Sequence, residues 1–195
     1  QPSQLMLDLY RLVAGKDYYV VTSNGEDHFV PAGFAPERVF EIEGKFTEMC
    51  CARGCHDAAY PNHQAITRMA LAEQGGLVPT ELLPRCQKCG GNMKIYMAAD
   101  QSFFRSASWQ KKQAEYQGFV QKHHNGKLVI LEFGVGWRNQ LIKAPLMQLA
   151  AAEPHAVYVT FNKGEVYIPA EIAAKSIGVD GDIGVAINAI VGSKT

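Results

Sequence analysis

No run of about 18 consecutive apolar residues occurs in the chain, so no transmembrane helix is expected. Charge of one sign is not in excess: 19 Lys and Arg balance 19 Asp and Glu. A general nucleic-acid or anionic-membrane binder carries a basic surplus, so neither partner is expected. A signal-peptide pattern is absent, and so is an initiator Met; the helical pattern of QPSQLMLDLYRLVAGK is already under way at Gln1, which predicts a segment upstream. No two of the six histidines have H-x3-H spacing. Cysteine is scarce and odd in number, with five in 195 residues. Disulfide scaffolds are short, secreted and loop-rich; this chain is none of these, which favours an intracellular, cytoplasmic protein. Apolar residues make up 47% of the chain, enough for a sizeable core and against disorder.

What is present begins with the placement of those cysteines. Cys51-x3-Cys55 is followed after 30 residues by Cys86-x2-Cys89. Two close pairs joined by a longer loop suit tetrahedral zinc, because each pair spans one edge of the tetrahedron and the loop brings the edges together. Gly90 and Gly91 after the second pair allow a tight knuckle turn. A disulfide or an inert core is the other reading of the same residues. Cys50, next to Cys51 in an extended segment, is expected to point the opposite way. A site closed by four thiolates leaves no position for a substrate, so such a metal holds structure and the chemistry lies elsewhere.

Four segments share an apolar run that ends in small or polar residues: DYYVVTSN (17–24), KLVILEFGVG (127–136), HAVYVTFN (155–162) and SIGVDGD (176–182). Such runs suit strands buried on both faces of a parallel sheet. Helical patterns lie at 107–124, at 144–154 with Pro145 near the start, at 169–176 and at 182–192. Strand–helix alternation predicts an α/β, Rossmann-like, doubly wound parallel sheet. Residues 46–96 break the rhythm; they hold both cysteine pairs and one helical stretch, HQAITRMALAEQ (63–74). The expected organisation is therefore an α/β domain made of 1–45 and 97–195, with a small zinc-binding module at 46–96.

Ligands of open α/β sheets bind beyond the carboxyl ends of the strands. There the sequence places Thr22, Ser23 and Asn24, then Gly134 and Gly136, then Asn162, then Asp180 and Asp182. Glycines let backbone approach a phosphate, and Asn and Asp suit ribose hydroxyls or an adenine edge. The same residues also make turns and helix caps. GVGWRN does not complete G-x-G-x-x-G, because Asn139 stands at the third position. Glu43, inside the apolar stretch RVFEIEGKF, is either a base or ribose acceptor with a shifted pKa or an exposed edge-strand residue. Trp109 and Trp137 are expected in the core or in a pocket wall.

Taken in order, VVTSN, AGF, VFEIEGKF, the two cysteine pairs, LEFGVG, the strand ending in Asn162 and DGDIG resemble the sirtuins. The details are most similar to the macrodomain-linked class M sirtuins of microbes, which show a similar PER-(I/V)-FEI-x-G stretch, a Cys-x3-Cys first pair and a GVG loop in place of Gly-Thr-Ser. The resemblance covers nearly the whole chain. It implies that NAD is the substrate and that one structural zinc is held by Cys51, Cys55, Cys86 and Cys89. By the same resemblance Thr22, Ser23 and Asn24 match the nicotinamide-ribose segment, with Asn24 a chemical participant, and Glu26 stands at the acid on the nicotinamide side. Gly134 and Gly136 match the phosphate and adenine-ribose loop, Asn162 the Asn on that ribose, and Asp182 and Ile183 the adenine end.

The implied activity is protein ADP-ribosyl transfer, with a lipoyl-carrier protein as acceptor and a macrodomain hydrolase as neighbour. The alternatives are a lysine deacylase or a nucleotide-binding module without turnover. Four departures stand out. Glu43 occupies the place of the family's catalytic His. Asn24-Gly25-Glu26 replaces Asn-Ile-Asp. AADQSFF (98–104) lies where deacetylases carry a substrate-clamping Val-Val-x-Phe-Gly-Glu strand. The Gly-Ala-Gly loop that cradles the pyrophosphate is not in the chain; with it upstream of Gln1 the enzyme is complete, and without it NAD binding is expected to fail.

Overall fold

A computed structural model describes residues 1–98 and 103–193. Along the chain the elements are α1 (Gln4–Val13), β1 (Val20–Thr22), β2 (Val39–Glu41), β3 (Gly44–Cys51), β4 (Ala59–Pro61), α2 (His63–Ala72), β5 (Met93–Met97), α3 (Ala107–Lys122), β6 (Leu128–Phe133), α4 (Gln140–Ala152), β7 (Ala156–Phe161), β8 (Ser176–Val179) and α5 (Ile183–Gly192). The chain divides into two units, one of Gln1–Tyr19, Pro31–Ala35 and Tyr116–Thr195, the other of Val20–Val30 and Pro36–Glu115. No helix among the described residues is long and apolar enough to cross a membrane.

The first unit is built on a parallel ladder in the order β6-β7-β8, with Leu128 opposite Ala156, Phe133 opposite Phe161 and Tyr158 opposite Ser176. Its core is Ile130, Ala150, Tyr158 and Ile172, with Leu146, Met147 and Ile168 packed against them. One sheet face is thus covered by α4 and by the 3₁₀ segment Ala170–Lys175. On the other face Val129, Val157 and Ile177 are 62%, 38% and 56% exposed. Burial on both faces was the expectation from continuous apolar runs; alternation of side chains turns these three to the face that the described residues leave exposed. The helical pattern at 169–176 closes as a 3₁₀ segment.

Helix α4 starts four residues earlier than the pattern suggested, after Asn139, whose carbonyl accepts from Lys143 N–H at 3.1 Å. Pro145 therefore sits inside the helix and leaves the Leu141 carbonyl without its i+4 donor. Leu141 is 60% exposed, so this turn of the helix lies on the solvent side, where a carbonyl without its donor costs little. Helices α1 and α5 are capped as the sequence allows: Ser3 Oγ accepts from Met6 N–H at 3.4 Å and Asp182 Oδ1 from Val185 N–H at 3.0 Å.

In the second unit β1 and β2 pair in parallel, Thr22 opposite Glu41, and Ile42 N–H extends the ladder to the Thr22 carbonyl at 2.9 Å. A separate antiparallel sheet runs β4-β3-β5, with a register shift between Lys45 and Met49. Buried Asn62 ties α2 to this sheet by donating to the Phe46 carbonyl at 2.8 Å. Trp109 is a core residue: its Nε1–H donates to the Ile42 carbonyl at 2.9 Å and its ring meets Phe40 edge-on at 5.1 Å. Trp137, by contrast, is exposed.

Candidate functional site

The cysteine pairs are shaped by two knuckles. Strand β3 ends at Cys51; Gly54 then takes φ +60° and its N–H donates to the Cys51 carbonyl at 3.0 Å, which turns the chain so that Cys55 faces back. In the second pair Gly90, at φ +66°, donates to the Cys86 carbonyl at 2.8 Å, and Cys86 N–H donates to the Gly91 carbonyl at 2.8 Å. The four Sγ atoms of Cys51, Cys55, Cys86 and Cys89 lie within 4.8 Å of one another. Cys51 and Cys89 approach to 3.6 Å, Cys55 and Cys86 to 3.5 Å. A tetrahedral zinc at about 2.3 Å from each sulfur has edges of about 3.8 Å, so this donor set fits one such ion.

The thiols are already differentiated. Hydrogen bonding from the Cys55 backbone N–H draws Cys51 down to about 6, and the Cys89 N–H likewise lowers Cys86; burial beside its neighbours pushes Cys55 up to about 12. Thiolates are what a metal binds, and the ion's charge would hold all four deprotonated. His56 stands beside the group rather than in it: Nδ1 is 3.0 Å from Cys55 Sγ and Nε2 2.7 Å from the Tyr60 hydroxyl. Cys50 is buried and lies outside the four-sulfur group, as its place on β3 predicts.

The residues proposed from sequence for a dinucleotide fall into two groups, one in each unit. In the first unit Gly134, Gly136, Asn162, Asp182 and Ile183 come together at the carboxyl ends of β6, β7 and β8. Gly134 takes φ +62° and its N–H donates to the Phe161 carbonyl at 2.9 Å. A Cβ there would lie 3.4 Å from Ile183 Cδ1. Asn162 Nδ2 donates to the Val135 carbonyl at 3.2 Å.

Under this loop lies a polar cluster that the sequence reading did not single out. Lys143 Nζ is 2.5 Å from Glu132 Oε1 and 3.0 Å from the Val135 carbonyl. Tyr158 and Thr160 donate their hydroxyls to Glu132 at 2.6 and 2.8 Å. Burial and the Glu132 carboxylate raise the Tyr158 pKa. All four side chains are buried. A Glu inside the apolar run LVILEF was the available signal, since a carboxylate there requires partners.

No family model matches the sequence. A protein ADP-ribosyltransferase from Staphylococcus aureus strain Mu50 is 32% identical over 182 residues, which is 92% of this chain and 58% of that protein. A probable bifunctional ADP-ribose hydrolase/ADP-ribosyltransferase from Fusarium oxysporum f. sp. cubense is 30% identical over 129 residues, 63% of this chain and 21% of that protein. A solved structure concerned with the mechanism and regulation of Sir2 enzymes superposes with a TM-score of 0.64 at 19% identity, over 98% of this chain and 70% of that one. The chain has the fold of the Sir2 enzymes. It spans rather more than half the length of the first of these relatives.

In the second unit Thr22 ends β1, and Ser23, Asn24 and Glu26 follow it. Thr22 is buried and its Oγ1 accepts from Asn24 N–H at 3.0 Å, so the segment turns at the strand end. Glu43 lies in the turn between β2 and β3, half-buried, its carbonyl accepting from Ala98 N–H at 2.8 Å. Gly44 beside it takes φ +93° and has no room for a side chain: a Cβ would lie 2.2 Å from the Tyr96 carbonyl oxygen. Of the stretch AADQSFF, residues 99–102 lie outside the described residues.

Proposed function

We propose that the full-length protein is an NAD-dependent protein ADP-ribosyltransferase of the class M sirtuin type. The observation that carries this is the 32% identity to a protein ADP-ribosyltransferase across 92% of the chain. The Sir2-like fold agrees with it.

In this reading the Gly134–Gly136 loop and Asn162 receive the phosphates and adenosine ribose. Asp182 is engaged in capping α5, so that end contributes through the helix start and Ile183. Thr22, Ser23 and Asn24 hold the nicotinamide ribose, and Glu26 lies on the nicotinamide side. Scission of the C1′–nicotinamide bond places positive charge on the ribose; nicotinamide leaves with the bonding electron pair, and an acceptor nucleophile on a protein attacks C1′. Asn24 stabilises the charge as it develops. Glu43 hydrogen-bonds a ribose hydroxyl. The four thiolates hold a structural zinc that braces the module 46–96 and takes no part in the reaction. The reading requires a Gly-rich pyrophosphate loop that these 195 residues do not supply. Among the described residues β1 pairs only with β2, and β6 only with β7, so each ladder has an edge able to take a further strand. The acceptor is a lipoyl-carrier protein in the cytoplasm. A macrodomain-type hydrolase is the expected neighbour, and the Fusarium relative's name couples both activities.

The experiment is incubation of the full-length protein with NAD labelled in the adenosine moiety and candidate acceptors. Label retained on protein with release of nicotinamide supports transfer. Labelled O-acyl-ADP-ribose from an acyl-lysine peptide would instead make it a deacylase, and binding without nicotinamide release a module without turnover.

A further inference from the structure

We propose that Lys143, neutralised by Glu132, is a positioning residue that fixes the peptide between Val135 and Gly136 so that the Gly136 N–H is offered to a nucleotide oxygen. This rests on the reading of the Gly134–Gly136 loop as part of a dinucleotide site.

The argument starts from an energetic oddity. Glu132 and Lys143 are 1% and 0% exposed. A buried ion pair between a strand and a helix is rarely worth its desolvation; apolar side chains of similar volume commonly stabilise a fold as well or better. Stability alone therefore does not explain the pair. Its geometry does. Glu132 is the penultimate residue of β6 and faces Thr160 directly across the parallel ladder, with Tyr158 two residues earlier on the same face. The two hydroxyls donate to the carboxylate at 2.8 and 2.6 Å, which leaves it no freedom to turn. The carboxylate in turn holds the Lys143 ammonium at 2.5 Å. Lys143 comes from the first turn of α4, and its backbone N–H is bonded to the Asn139 carbonyl at 3.1 Å. Both ends of the side chain are thus anchored, and its remaining reach goes to the Val135 carbonyl at 3.0 Å. Asn162 Nδ2 donates to the same oxygen at 3.2 Å.

A trans peptide points its C=O and the following N–H in opposite directions. With the Val135 carbonyl drawn down onto Lys143 and Asn162, the Gly136 N–H is turned away from the buried cluster. A peptide fixed in this way needs no reorganisation when an anionic or hydroxyl oxygen arrives, which is how backbone donors become effective. Gly134, left-handed and exposed, supplies the bend that makes the arrangement possible.

The test uses the full-length protein and the neutral double variant Glu132→Gln/Lys143→Met, which leaves no buried charge unpaired. Two readouts are taken: the amide resonance and hydrogen exchange of Gly136, and the affinity for ADP-ribose. The expected result is a displaced Gly136 amide and about a tenfold loss of ADP-ribose affinity, the scale of one charge-assisted hydrogen bond, with a thermal midpoint close to that of the unaltered protein. In turnover the loss should appear in KM for NAD and leave kcat nearly unchanged. A folded variant with an unmoved Gly136 amide and unchanged affinity overturns the proposal. If the variant does not fold, the unaltered protein decides: the Lys143 ammonium should give a slowly exchanging ¹⁵N signal correlated through the hydrogen bond with the Val135 carbonyl carbon, and absence of that signal overturns it. Should the unaltered protein fail to bind ADP-ribose, the nucleotide reading falls, while the Gly136 amide still decides whether Lys143 positions the loop.

Discussion

Replacing Gly44 by Ala should destabilise the second unit severely and disturb Glu43, its neighbour in the turn. Two costs add. First, φ is +93°, a region in which an L side chain costs about 1–2 kcal/mol. Second, the new methyl would lie 2.2 Å from the Tyr96 carbonyl oxygen and 3.1 Å from Met97 Cα. Both are backbone atoms of β5 and cannot rotate away. Tyr96 is itself fixed, its hydroxyl donating to the Phe104 carbonyl at 2.8 Å and accepting from Ser106 N–H at 3.2 Å. Relief requires β3 to part from β5 at this end, which breaks the bond from Ala98 N–H to the Glu43 carbonyl and the pairing of Gly44 with Met97. At about 1 kcal/mol for each hydrogen bond lost, the sum is about 3–4 kcal/mol. For a chain of this size that lowers the midpoint by roughly 10 °C. Gly75→Ala is the control: φ is +60° and nothing lies within 4 Å of the new methyl, so about 1 kcal/mol and roughly 3 °C are expected. Differential scanning calorimetry of both variants decides. A Gly44→Ala midpoint no lower than that of Gly75→Ala would refute the reasoning.

Cys86→Ser should lower bound zinc below one ion per chain and make the remaining metal accessible to chelators, measured by metal analysis and a colorimetric chelator; full zinc retention would show that the four sulfurs do not act together. Glu153 is held below its ordinary value of 4.5, chiefly by His124, whose Nδ1 lies 2.9 Å away, and then by the Asn125 N–H at 2.8 Å. A depressed carboxylate contributes stability that is complete above its unfolded value and lost as pH falls through the folded one. Urea unfolding of Glu153→Gln should therefore vary less with pH below 4.5 than the unaltered protein does. Asn24→Ala should slow nicotinamide release about a hundredfold, the scale of losing one dipole aimed at developing charge. Glu43→Gln should stay within about tenfold in the same assay, because an amide also reaches a ribose hydroxyl; a loss of a hundredfold or more would instead make Glu43 a base.

The four-cysteine cluster was legible because Cys51-x3-Cys55 and Cys86-x2-Cys89 are two close pairs, each needing only a left-handed glycine to close. The parallel strands β6 and β7 were legible from the unbroken apolar runs VILEF and VYVTF. Burial of their two faces was not, because a run of Val and Ile says nothing of which side a helix will cover. The start of α4 was hidden by Pro145, whose usual place is a first turn. Only the outward position of Leu141 shows why an interior proline is tolerated there. Least legible was the cluster under the glycine loop. Glu132, Lys143, Tyr158 and Thr160 are spread over 29 residues and are joined only by the parallel register of two strands and the phase of one helix. Sequence spacing carries neither. Asp182 shows the opposite difficulty, for its place after a strand suits a nucleotide and a helix cap alike, and its carboxylate caps α5.

The central claim is that the strand-end loops of this chain receive NAD. Hydrogen–deuterium exchange of the full-length, zinc-loaded protein with and without NAD tests it most directly. The account predicts slower exchange at residues 22–26, at 134–139 and at the start of α5, with the cysteine knuckles unchanged. Exchange that is unaltered by saturating NAD, or slowed only in segments away from these loops, would contradict it.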